Sequence, residues 1–107
     1  MLSFSYIYTM LKSIKYKNKR IKVLWIKPKD CLAVYDPNQS SLIISPNLSK
    51  VMLGKVIFHE LWHIICVLNK SKIIDIGEER TAILSEQFAV ILKKNPKLKQ
   101  LTYSCLK

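Results

Sequence analysis

The sequence predicts a small α+β domain, in which a short three-stranded antiparallel sheet precedes two helices. Three observations carry that expectation: β-rich runs between residues 20 and 45, a helical apolar period from Lys50 to Asn69, and a second one from Glu78 to Lys94. With 107 residues there is room for one domain, because a compact unit usually takes roughly 100 to 200. Half of the residues are hydrophobic and only two are glycine, so the chain has the apolar surface that a disordered segment lacks.

Residues 1–18 mix aromatics, serines and lysines, and are expected to form an N-terminal arm or a weak helix. RIKVLWIK, from Arg20 to Lys27, sets Ile21, Val23 and Trp25 on one side and Lys22 on the other, the period of a strand. Pro28 ends it by removing a backbone donor. CLAVYD at 31–36 and SLIIS at 41–45 form a hairpin around Pro37, Asn38 and Gln39, which carry turn chemistry. Ser49 then caps a long helix, along which Val51, Leu53, Val56, Ile57, Leu61, Ile64, Ile65 and Leu68 recur at three- and four-residue steps. The second helix shares Leu84, Phe88, Ile91 and Leu92 on one face and stops at Asn95–Pro96, leaving 99–107 as a C-terminal tail.

The long helix contains His59-Glu60-Leu61-Trp62-His63. Histidines four apart lie above one another on one helix face, so both imidazoles reach one cation, as zinc requires. A catalytic zinc takes three protein ligands and leaves its fourth position to water. Glu60, next to the first histidine, is placed to act as general base toward that water without occupying a coordination position. Such a pentapeptide arises by chance in about one chain in a few hundred. Here the chain's only two histidines both fall in it, and Phe58, Leu61, Trp62, Ile64 and Ile65 surround them with apolar bulk. Imidazoles buried there would otherwise lack partners, at a cost in free energy.

The third ligand is open. A motif extended by glycine three residues and histidine six residues after the second histidine is excluded by Cys66 and Asn69. No histidine remains, which leaves a carboxylate, with a thiolate less favoured. Glu78 and Glu79 open the second helix; at 100° per residue Glu78 falls roughly 60° from the apolar face and Glu79 roughly 160°. Glu78 is therefore preferred and Glu79 is the alternative. Asp75 and Glu86 are outside candidates, and Cys66, one turn beyond His63, reads as a packing residue.

The order of a short sheet, the HELWH helix, and a helix that opens with Glu78-Glu79 and ends in Asn95-Pro96 resembles the small zincin-like metallopeptidases of phages and prophages, over about residues 20–98. More distantly it is similar to the anti-repressor metallopeptidases of mobile elements, from which it departs by Trp62 in place of a glycine and by lacking their longer C-terminal region. The resemblance implies a minimal zincin-like fold, a zinc ion on His59, His63 and a downstream glutamate, hydrolysis of a protein or peptide substrate, and the host cell of a virus or mobile element; the cytoplasmic setting is expected from the cysteines, which pair into no disulfide framework.

Charge suggests a different class. The formal charge of +11 draws the chain toward polyanions, and no acid interrupts Lys12, Lys15, Lys17, Lys19, Arg20, Lys22, Lys27 and Lys29 before Asp30. The alternative function is accordingly a basic nucleic-acid-binding module braced by a structural zinc; the plainer account is a lysine-guarded strand edge. Cys31, Cys66 and Cys105 form no CxxC pair and read as buried or neutral thiols of a reducing compartment. The opening residues lack the pattern of a secretory signal, and no stretch is expected to reach the eighteen or so apolar residues of a membrane span.

Overall fold

The computed structural model describes residues 11–69 and 78–105, without the side chains of 78–83. Its order is β1 (Ser13–Tyr16), β2 (Lys19–Leu24), β3 (Ala33–Asp36), β4 (Ser41–Ile44), then α1 (Lys50–Leu68), α2 (Glu78–Lys94) and α3 (Pro96–Cys105). The α+β class holds, but the sheet is four-stranded and mixed rather than three-stranded and antiparallel. Its order is β1-β2-β4-β3, with β2 and β4 parallel and both outer pairs antiparallel.

The added strand comes from the segment expected to be an arm. Ile14 and Tyr16 alternate with exposed lysines, and Lys17 and Asn18, at φ 49° and 64°, make the two-residue left-handed turn that returns the chain as β2. Strand β2 stops at Leu24 rather than Lys27: the Trp25 indole donates back to the Leu11 carbonyl at 2.9 Å, and Ile26 is left exposed. The hairpin of β3 and β4 forms as expected, with Asp36 Oδ1 accepting from the Asn38 and Gln39 amides. Its return strand inserts beside β2, tied by Lys22 N donating to Ser40 O at 2.9 Å and by Ser40 Oγ donating to Arg20 O.

Ser49 caps α1, its hydroxyl accepting from Met52 N at 3.2 Å. At the other end Asn69 bonds its own helix through Ile65 O and reaches the Tyr16 hydroxyl at 2.6 Å, which in turn donates to Gln87 Oε1. Helix, sheet and α2 are thereby linked by one polar chain, buried at Asn69 and part-buried at Gln87. Pro96 does more than end α2: it occupies the first turn of α3, where its missing N–H costs nothing. Leu98, Leu101 and Thr102 of α3 are buried, so residues 99–105 of the expected tail belong to the packed fold, and 106–107 lie outside the described residues. Gly54 lets α3 approach α1 closely; a Cβ there would meet Cys105 Cβ at 3.3 Å.

Ile14, Ile21, Val23, Leu42 and Ile44 from the inner sheet face meet Leu53, Ile57, Leu61, Ile64 and Ile65 of α1, with Ile91, Leu98 and Leu101 closing the core. Helix α1 contradicts one expectation: an 18-residue window within it, of mean hydropathy 1.6, is by length and composition apolar enough to cross a membrane. A third of that window is buried inside this core, on the face that carries Leu53, Ile57, Leu61, Ile64 and Ile65. Among the cysteines Cys31 is exposed, while Cys66 and Cys105 are half-buried; burial raises the Cys105 thiol, partly offset by Lys50.

Candidate metal centre

Helix α1 presents two faces to two environments. Leu53, Ile57, Glu60, Leu61, Ile64 and Ile65 form its buried stripe, while His59 and His63 stand on the exposed side beside Phe58 and Trp62. The expectation of histidines deep in apolar surroundings is thus corrected, because the 3.6-residue period that buries 57, 61 and 64 turns 59 and 63 outward. The Phe58 ring packs against Phe88 with centroids 5.9 Å apart, which joins this part of α1 to α2.

The imidazoles converge. His59 Nε2 and His63 Nε2 lie 2.9 Å apart, the rings meeting edge-on at 81° with centroids 4.5 Å apart. Two nitrogens bound to one zinc at about 2.0–2.1 Å with a tetrahedral angle are about 3.3 Å apart, and 2.9 Å corresponds to an angle of about 90°. At 2.9 Å the two rings are within hydrogen-bond distance of each other, and one zinc would need them a few tenths of an ångström further apart, a shift within reach of side-chain rotation. A ligand atom from Glu60 lies with them in a group no wider than 4.8 Å.

Glu60 is 6% exposed and is the one charged side chain among the described buried residues. A carboxylate in an apolar stripe is costly unless its environment compensates it, and leucine would pack there without that cost. Glu60 and His59, with Lys55 and Val56 of α1, face Leu32 and Ala33 across an open cavity of about 400 Å³. Strand β3 lies at the sheet margin, paired on one side with β4, and among the described residues no strand pairs its other side.

The structure brings together His59, Glu60 and His63. Glu78 and Glu79 begin α2 as expected, but their side chains lie outside the described residues, as does Asp75. Glu86 is exposed, and Cys66 packs against the core. Lys55, Leu32 and Ala33 had not been singled out. Lys55 sits one turn before His59 and was legible by spacing, whereas Leu32 and Ala33, just before and at the start of β3, arrive only through the hairpin. Comparisons with family models, curated proteins and solved structures found no match.

Proposed function

We propose that this chain is a zinc-dependent peptidase of minimal zincin-like architecture, with His59, His63 and a carboxylate from the start of α2, Glu78 first and Glu79 second, as the metal ligands. The observation that carries the reading is the buried Glu60 carboxylate adjoining two converging imidazoles at the wall of an open cavity. A zinc ion held there would supply Lewis acidity to a water molecule and to the substrate carbonyl. Glu60 accepts the proton of the attacking water on a carboxylate oxygen and delivers it to the departing amine nitrogen, as the water oxygen bonds the carbonyl carbon and the C–N bond breaks. The margin of β3, beside Leu32 and Ala33, suits an extended polypeptide added as a further strand, whose backbone would run past His59 and Glu60. The likeness to prophage metallopeptidases rests on motif order and supports a protein substrate without identifying it.

The test is zinc content by elemental analysis together with cleavage of an unfolded protein pool, its products read by mass spectrometry, for the natural chain and Glu60→Gln. We expect one zinc per chain in both proteins and new peptide termini from the first alone. Zinc without cleavage would favour a structural metal in a basic binding module, and absence of zinc from both would remove the proposal.

A further inference from the structure

The outer face of the sheet carries a charge arrangement that the peptidase reading does not use. Lys15 of β1 and Arg20 of β2 are direct cross-strand partners, both exposed, and Lys22 follows Arg20 on the same face. Like charges directly opposite in an antiparallel pair destabilise it, so the Lys15–Arg20 pair opposes folding of the ribbon, and Lys22, opposite Ser13, adds a third cation to the same face. At its end a cavity of about 330 Å³ is ringed by Lys15, Lys17, Lys19, Arg20 and Lys94, and among the described residues no acidic side chain lines it.

Two structural accounts fall short. Lysines often guard a sheet edge against pairing with other chains, but Asn95 already occupies the edge at β1, its side chain bonding both Lys15 N at 2.8 Å and Lys15 O at 2.9 Å. Lys94, in the last turn of α2, complements the negative end of the helix dipole, yet that need does not reach Lys15, Lys17, Lys19 or Arg20. A polyanion offsets the whole repulsion at once.

We propose that the β1–β2 ribbon docks on B-form DNA, its cations taking the phosphodiester backbone and one phosphate entering the cavity between the turn and Lys94. The turn end of the ribbon, residues 15–21, lies beyond the part of β2 that pairs with β4, so it presents two strands rather than four; a two-stranded ribbon fits the wide major groove of B-DNA, whereas the deep, narrow groove of A-form RNA does not admit one. An anionic bilayer is less well matched, because it is a broad surface and these cations close on a concavity, with no apolar residue at the Lys17–Asn18 tip to insert. This surface is separate from His59, Glu60 and His63, and the inference stands or falls independently of zinc.

The experiment is fluorescence anisotropy of the full chain on a labelled DNA duplex of about 20 base pairs, titrated between about 50 and 200 mM salt, the range over which phosphate contacts dominate. Lys15→Ala with Arg20→Ala is compared with Lys97→Ala with Lys99→Ala, which removes the same charge from α3. The ribbon pair should lower affinity at least tenfold and flatten the log–log salt slope by about 2, one for each lost phosphate contact; the α3 pair should change affinity less than threefold. Lys17→Gln with Lys94→Gln, which leaves the cross-strand pair in place, should reproduce the drop. Equal losses from ribbon and α3 would overturn the proposal, since net charge alone would then act. Tighter binding to an RNA duplex or to phosphatidylserine vesicles than to DNA would overturn it as well.

Discussion

His63 meets His59 edge-on across one helical turn, with the two Nε2 atoms 2.9 Å apart on the exposed side of α1. A cation that binds them only in the folded state stabilises the fold by an amount that grows as the logarithm of its concentration over Kd. At about a hundredfold excess over Kd this is about 2.7 kcal/mol. Zinc addition should raise the melting temperature and chelation should lower it, with His63→Ala insensitive to both. Identical melts with and without zinc in the natural chain would speak against a metal.

Glu60 should divide stability from activity. Glu60→Gln removes a buried charge while keeping the shape, so its melting temperature should equal or exceed that of the natural chain. Zinc should be retained and peptide hydrolysis should fall by at least about a hundredfold. Cleavage that persists in the variant would dismiss Glu60 as the base.

The glutamates that open α2 are separable by metal affinity. Glu78→Ala should weaken zinc binding about tenfold or more, and Glu79→Ala should leave it within about threefold, as measured by competition with a chromophoric chelator. The reverse order would transfer the ligand role to Glu79.

Asn95 holds β1 through Lys15 N and Lys15 O and also bonds Ile91 O at 2.6 Å. Asn95→Ala strands three backbone groups at once and should cost about 2 to 4 kcal/mol in denaturant unfolding. A cost under about 0.5 kcal/mol, the scale of an ordinary surface change, would mean that water replaces the side chain without loss.

Alkaline pH should destabilise the domain. Burial raises the Tyr16 phenol above its ordinary 10.0, against a lowering by Asn69; burial and the Asp36 charge raise Tyr35 in the same direction. The folded state then holds protons that the unfolded chain releases, so this contribution is intact below about pH 10 and is lost as pH rises through the folded pKa values. Thermal melts should therefore fall from about pH 10 upward, less steeply in Tyr35→Phe. A flat profile to pH 11 would contradict the burial of these hydroxyls.

Sequence by itself determined the local decisions. Ser49 had to cap a helix, the spacing of Leu53, Ile57, Leu61 and Ile64 had to bury one face of it, and His59 and His63 had to share another, because 3.6 residues per turn allows nothing else. The alternation of Ile14 and Tyr16 ahead of the Lys17–Asn18 turn was legible too, but clustered lysines concealed it as an arm. Tertiary structure alone decided that β4 would insert parallel to β2, that Pro96 would open a packed third helix, and that Leu32 and Ala33 would face Glu60. Those outcomes depend on which apolar faces meet across long stretches of chain, and the free energy of such burial belongs to pairs of surfaces that no local pattern specifies.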